Sequence, residues 1–150
     1  MRVQLTEDMA RLKLERALAS FFAKELALLQ SGVREDSLAH QLAIHIGKQF
    51  EGLDVDAEYD KMHIDGIPHP KKYISPDGQE RHAIPDIIVH RRQSMENWIA
   101  IEIKKLANVA GRDKDFVKLG AYKAQLGYRF AVFLEIGLKE EQPVWKVQFI

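Results

Sequence analysis

Two neighbouring stretches of the sequence decide its fold, residues 84–90 (IPDIIVH) and residues 98–104 (WIAIEIK). Both are rich in β-branched residues and a short polar stretch separates them, which is typical of a β-hairpin. Side chains alternate along a strand, so Ile103 faces one side of the second strand while Glu102 and Lys104 face the other. Apolar residues frame both strands, and we therefore expect the second strand to be central in a sheet.

The length of the connection predicts which residues face each other across the hairpin. A three-residue loop at 93–95 would place Asp86 opposite Glu102 and Ile84 opposite Lys104, with each pair on one face of the sheet. Two carboxylates about 5 Å apart repel by roughly 3 kcal/mol at an effective dielectric near 20. A cation between them would relieve this repulsion, and oxygen ligands suit Mg²⁺ or Mn²⁺. The alternative interpretation is an ordinary ion pair between Lys104 and either acid.

The rest of the chain predicts a mixed sheet flanked by helices, an α/β (α+β) single domain. The predicted helices span 5–30, capped by Thr6 and ended by Ser31-Gly32, about 36–50, and 113–126. The further predicted strands span 54–60, 129–136 and 144–149, with an irregular loop at 61–82 and a turn at 137–143. Glu35 precedes the second helix and falls on the same inward face as Leu38.

The first helix carries two apolar stripes. Leu5, Met9 and Leu12 begin one of them, and Leu14 and Leu18 begin the other. If both stripes pack on the same core, the helix is an ordinary part of the domain. If only one does, the other is available for a partner, which predicts a homodimer through this helix.

Composition restricts the class of protein. The 150 residues are 46% apolar and 29% charged, with no cysteine, so disulfides and thiolate-bound zinc are excluded. No apolar run approaches the ~18 residues of a membrane span, and the N-terminus lacks the apolar core of a signal peptide. These features predict a cytoplasmic protein with no membrane segment.

Charge is unevenly distributed although the formal net charge is zero. Residues 1–60 hold 7 Lys or Arg against 11 Asp or Glu, whereas residues 81–129 hold 10 against 5. A basic face on a neutral protein can still bind a phosphate backbone. The asymmetry favours a nucleic-acid partner, although segments of this length can also differ by chance.

The pattern Pro85-Asp86, fifteen residues, then Glu102-Ile103-Lys104 resembles the signature of the PD-(D/E)XK nuclease superfamily. The resemblance covers about residues 35–136. It implies a restriction-endonuclease-like core of helix, three strands, helix and strand (αβββαβ). Residues 1–32 would then be a helical extension and residues 143–150 an added terminal strand.

The resemblance also implies roles for individual residues. Asp86 and Glu102 would ligate Mg²⁺ (or Mn²⁺) together with the backbone carbonyl of Ile103. Lys104 would orient or deprotonate the attacking water and stabilise charge on the phosphate. Glu35 matches an acid found in the first core helix of many members and would hold a second metal or a water. The implied reaction is hydrolysis of DNA that leaves a 5′-phosphate.

Further residues are candidates for substrate contact. Lys118 lies in the string 115–119 (DFVKL), which resembles an Asp-x-x-Lys-Leu motif in uncharacterised bacterial proteins of this fold. The alternative for Asp115 and Lys118 is a surface pair one helical turn apart. Arg91, Arg92 and Lys105 are the other candidates for phosphate contact. The histidines at 63, 69 and 82 and the acid at 58 are expected to be solvated surface residues.

The sequence therefore predicts a magnesium-dependent nuclease that acts on DNA. Two alternatives belong to other classes of protein. One is a nucleic-acid-binding or regulatory module that keeps the fold without catalysis. The other is a dimeric scaffold protein built on the N-terminal helix.

Overall fold

A computed structural model describes residues 4–150 and contains, over that range, three helices and nine strands. The helices are α1 (Glu7–Gln30), α2 (Glu35–Gln49) and α3 (Arg112–Gln125). The strands are β1 (Asp54–Ala57), β2 (Lys61–Ile64), β3 (Ile67–Pro70), β4 (Lys72–Ile74), β5 (Glu80–His82), β6 (Ile87–His90), β7 (Asn97–Lys105), β8 (Phe130–Lys139) and β9 (Gln142–Phe149). The expected mixed α and β class is confirmed.

A five-stranded sheet organises the molecule in the order β1-β6-β7-β8-β9. Strands β7 and β8 are parallel because α3 connects them as a crossover, and the other neighbours are antiparallel. Strand β7 lies in the middle, as its composition predicts. It is buried from Ile99 to Ile103.

Helices cover both faces of the sheet, and the alternation of β6 and β7 decides which side chains meet which helix. Ile87, Val89, Ile99, Ile101 and Ile103 share a core with α1 and α2. Ile88 and Ala100 share the opposite core with Leu119 and Tyr122 of α3. Glu102 has the parity of Ala100, so it faces α3.

Helix α1 begins as predicted, with the Thr6 hydroxyl accepting a hydrogen bond from the Met9 amide at 3.2 Å. One of its two apolar stripes packs fully, with Leu14, Leu18 and Phe21 buried. On the other stripe Met9 and Leu12 stay 37% and 51% exposed. A homodimer through this exposed part of α1 stays a prediction.

The hairpin that carries Asp86 and Glu102 has the predicted register but not the predicted loop. The Arg91 amide donates to the Glu96 carbonyl at 2.9 Å, so four residues rather than three form the tip. An irregularity between Val89 and His90 compensates, and Ile88 pairs with Ala100 as expected. Such a bulge adds one residue to one strand, which offsets the longer loop.

The segment 61–82 is not the irregular loop that its glycines and prolines suggest. It folds into two small hairpins, β2–β3 and β4–β5. Asp65 and Gly66 have φ of 51° and 76°, the left-handed pair that a tight hairpin turn requires. Prolines are tolerated in β3 because it lies at the edge of a two-stranded sheet.

The closing strands are longer than predicted, and their turn is only two residues, Glu140 and Glu141. Both have positive φ, 51° and 65°. Gly137 and Pro143 suggested a longer turn but lie within the two strands. Among residues 4–150, no helix combines the length and apolar character that a bilayer-spanning segment requires.

Lys71 ties the two inserted hairpins to the body of the protein. It is 1% exposed, and its ammonium donates to the Tyr128 hydroxyl at 2.6 Å and lies 5.4 Å from the centre of the Tyr59 ring. Its backbone pairs with Asp60 and with Ala83. Burial among aromatic rings lowers the pKa of Lys71 to about 8.

We expect Lys71→Met to remove a pH dependence of stability. The unfolded chain holds this proton up to about pH 10.5 and the folded chain only up to about 8, so the unfolded state binds more protons in between. The free energy of unfolding of the wild type should therefore rise by roughly 3 kcal/mol from pH 8 to 10.5. Denaturant unfolding across this range measures the rise. The exposed neighbour variant Lys72→Met serves as the control, and parallel curves for wild type and Lys71→Met would contradict the expectation.

Candidate active site

Asp86 and Glu102 lie side by side, Asp86 directly before β6 and Glu102 within β7. Continuing the ladder one residue past the Ile87–Ile101 pair brings the two acids opposite each other, and their side chains share a hydrogen bond. Asp86 Oδ2 also accepts from the Ile103 amide at 2.7 Å. The predicted juxtaposition of the two carboxyls is therefore present.

Burial gives this pair unusual acid–base properties. Glu102 is 6% exposed, and its burial, followed by the negative charge of Asp86, raises its pKa well above the ordinary value. Burial also raises the pKa of Asp86, although the hydrogen bond from Ile103 works against the rise. Two carboxyl groups can hydrogen-bond to each other only if one carries a proton. The pair is therefore easier to protonate than two isolated carboxyls, and a cation between the two acids would relieve the same repulsion.

Tyr122 is a functional candidate that the sequence reasoning did not identify. Its hydroxyl donates to Glu102 Oε1 at 3.3 Å, and the tyrosine is 1% exposed. The signal that could have found it is its position seven residues, two helical turns, after Asp115.

Lys104 lies beyond the acids on the same face of β7 and forms an ion pair with Asp115. Its Nζ is 3.0 Å from Asp115 Oδ2, and both side chains are 12% exposed. Asp115 is not the partner of Lys118 in a surface pair. The first turn of α3 lies over β7 and brings Asp115 to Lys104 instead. Lys118 lies one turn further along, and its positive charge partly offsets the rise in the pKa of Glu102.

Glu35 lies near the acid pair but does not join it. Its Oε1 accepts from the Lys105 amide at 3.3 Å, and its negative charge contributes to the raised pKa of Asp86. Lys105 itself donates through its ammonium to the carbonyl of Val33. A cavity of about 320 Å³ at the start of α2 is lined by both Glu35 and Lys105.

Among residues 4–150 no group of three or more His, Asp or Glu side chains is gathered in a way that could hold a metal. The acids that do meet are Asp86 and Glu102. The expected roles of Glu35, at a second metal or a water, and of the Ile103 carbonyl, as a ligand, stay predictions. Two carboxylates still fit Mg²⁺, which is commonly bound by one or two of them while water fills the remaining positions. The donor set is therefore compatible with one hydrated divalent cation.

The arginine candidates for substrate contact lie elsewhere. Arg91 pairs with Glu96 at 2.8 Å, and Arg92 pairs with Asp56 at 2.5 Å. Both follow β6, whereas Asp86 precedes it, so the structure does not bring them to the acids. Six residues of extended chain separate Asp86 from Arg92, roughly 20 Å. A cavity of about 790 Å³ lies at this distant end as well and includes Arg91 and Trp98 in its lining.

The weaker signals do not converge on a site. His63 and His69 lie in β2 and β3, and His82 lies in β5, which belongs to a separate small sheet. Glu58 is exposed, and its carboxylate is 4.0 Å from His40. The surface interpretation of these residues is consistent with their positions.

Comparison of the chain with protein-family models, with curated proteins and with solved structures finds no match.

Proposed function

We propose that this protein hydrolyses phosphodiester bonds in DNA with the help of a divalent metal ion, on a restriction-endonuclease-like core. The observation that carries the proposal is the juxtaposition of Asp86 and Glu102 across β6 and β7, with Lys104 on the same face of the central strand. Buried acids of raised pKa beside a cation are more typical of functional sites than of structural ones. The residues support the chemistry that the signature implies.

Each residue has a distinct part in the proposed reaction. Asp86 and Glu102 would hold Mg²⁺, and the Ile103 amide orients Asp86 by its hydrogen bond at 2.7 Å. A bound Mg²⁺ supplies a Lewis acid that polarises a phosphoryl oxygen and makes a coordinated water more acidic. Lys104 presents its ammonium to the charge that develops on the phosphate. The Tyr122 hydroxyl donates to Glu102 and so fixes the orientation of that side chain.

The distribution of cations around the site is consistent with a polyanionic substrate. Lys104 and Lys118 both lie on the α3 side of the sheet, and Lys105 follows at the end of β7. A phosphate backbone that crosses the end of β7 would meet these lysines close to the acids. We assign no role in substrate binding to Arg91 and Arg92, because their partners hold them at the far end of the hairpin.

The test is cleavage by the purified chain. Wild type should cleave end-labelled duplex or single-stranded DNA in Mg²⁺ or Mn²⁺ but not in EDTA. Asp86→Asn keeps an acceptor for the Ile103 amide but loses the anionic ligand. Loss of a partner around a ligand costs roughly 10–100-fold in activity, so loss of the ligand itself should cost at least as much.

The exposed acid Glu51 offers a matched control, because Glu51→Gln removes a carboxylate that lies with Arg91 at the far end of the molecule. If wild type cleaves neither DNA form nor RNA with either metal, the binding-module alternative is favoured. Equal activity in wild type and Asp86→Asn would show that another site, or a contaminant, carries the cleavage.

A further inference from the structure

Asp115 is a buried acid in the first turn of a helix, a position where acids are normally solvated. The whole residue is 8% exposed. The helix dipole stabilises an acid at a helix N-terminus without any need for burial. A buried carboxylate is costly unless it is paired. Its partner is the Lys104 ammonium at 3.0 Å, so the burial of each depends on the other.

Lys104 pairs with Asp115 because the other acid next to it already has a partner. Lys104 pairs in register with Glu135 on β8, a nearly buried acid that could attract the same ammonium. The guanidinium of Arg112 occupies Glu135 instead. Lys104 is thus held by the helix and not by the adjacent strand.

The start of α3 also limits where the ammonium can go. Gly111 caps the helix in the left-handed conformation, with φ of 76°. A Cβ at this position would lie 3.6 Å from Lys104 Nζ, so the backbone approaches the ammonium closely. One side of the lysine is therefore closed by backbone and another by Asp115.

We propose that Asp115 is the positioning residue for Lys104 in the proposed nuclease reaction, an inference that rests on that function. Its carboxylate holds the ammonium beside the acid pair and keeps it from forming an ion pair with Asp86 or Glu102. The two acids stay available to a divalent cation, and the ammonium stays available to a phosphate oxygen. Metal binding and charge stabilisation thereby belong to separate sets of residues, Asp86–Glu102 and Lys104–Asp115.

Two variants of the full chain test this separation. Asp115→Asn should lower kcat for DNA cleavage by about 10–100-fold, the range for loss of an outer-shell partner, while KM changes less than about threefold. Its affinity for Mn²⁺, measured by calorimetry, should stay within about threefold of the wild type. Asp115→Glu should recover part of the lost kcat because it restores the carboxylate. Asp113→Asn, an exposed acid in the same turn, is the matched control and should behave as wild type.

A double variant distinguishes positioning from a general structural effect. If Asp115 acts through Lys104, Lys104→Met combined with Asp115→Asn should be no less active than Lys104→Met alone. The double variant also removes both charges together, so it should fold even if Asp115→Asn alone is destabilised. Additive losses, or a wild-type kcat in Asp115→Asn, would overturn the proposal. Loss of Mn²⁺ binding in Asp115→Asn would overturn it too, since Asp115 would then be a ligand. A wild type that cleaves no nucleic acid removes the proposed function and this inference together, whereas an active wild type with an unaffected Asp115→Asn removes only the inference.

Discussion

Glu102→Gln is expected to abolish metal-dependent cleavage and, at the same time, to stabilise the folded protein. Glutamine is uncharged and cannot replace a carboxylate as a ligand for Mg²⁺, so we expect a loss of activity of about a thousandfold or more, beyond the 10–100-fold range of an outer-shell partner. The stability gain has a separate cause, the conflict between two buried acids in the absence of metal. The variant therefore separates what the site contributes to function from what it costs in stability.

The hydrogen bonds of Glu102 explain why glutamine should fit. Its amide can donate to Asp86 in place of the shared proton, and its oxygen can still accept from the Tyr122 hydroxyl. Glutamine thus mimics the protonated acid without the tendency to ionise next to Asp86. We expect the free energy of unfolding at pH 7 to rise by about 1–2 kcal/mol, the usual scale for relieving such a conflict at an active site.

Denaturant unfolding without metal and cleavage assays with Mg²⁺ measure the two effects. Glu51→Gln, the exposed control, should change neither. A Glu102→Gln variant that is inactive but also destabilised would indicate that Glu102 is held as a structural partner. An active variant would contradict the metal-ligand role directly.

The second large effect concerns protons. Binding of Mn²⁺ by wild type is expected to release protons at a pH below the raised pKa of Glu102, because a carboxyl must be ionised to bind the cation. Calorimetric titrations in buffers of different ionisation enthalpy report the number released. No proton release with measurable binding would show that the cation binds elsewhere.

The same raised pKa predicts how stability depends on pH without metal. Glu102 holds its proton in the folded state to a higher pH than its ordinary value of 4.5 in the unfolded state. The folded state therefore binds more protons in this window, and its stabilisation, complete below about pH 4.5, is lost as pH rises through the raised pKa. Unfolding of wild type should show this decline relative to Glu102→Gln, and Mg²⁺ should reduce it. Parallel pH profiles for the two proteins would contradict the raised pKa.

Much of the sheet could be predicted because it depends on local patterns. The alternation of Ile101 and Ile103 with Glu102 and Lys104, and the apolar residues before them, predict a central strand, and β7 contains all four residues. The pairing of Asp86 with Glu102 was predicted correctly from a loop length that is wrong. The bulge near Val89 adds one residue to one strand. This offsets the extra residue in the loop, so the predicted pairing is kept.

The rest of the site depends on contacts that sequence spacing does not encode. The i, i+3 rule pairs Asp115 with Lys118, but the position of α3 across β7 favours Lys104. The resemblance implied that Glu35 holds a second metal or a water, and the structure adds a contact that helical spacing does not predict, the hydrogen bond from the Lys105 amide to its carboxylate. The loop at 61–82 was predicted as irregular because the same glycines and prolines that interrupt long elements also form tight hairpin turns.

The bulge between Val89 and His90 also bears on how this hairpin can vary among descendants of the chain. A one-residue insertion in a plain hairpin would turn every following side chain to the wrong face. Here the bulge accommodates one extra residue, so the pairing of Ile88 with Ala100 is kept. Mutation can therefore lengthen or shorten the tip by a residue, with a matching gain or loss of the bulge, while the acids roughly 20 Å away keep their alignment. The tip can therefore vary in length and composition without changing which residues of β6 and β7 face each other.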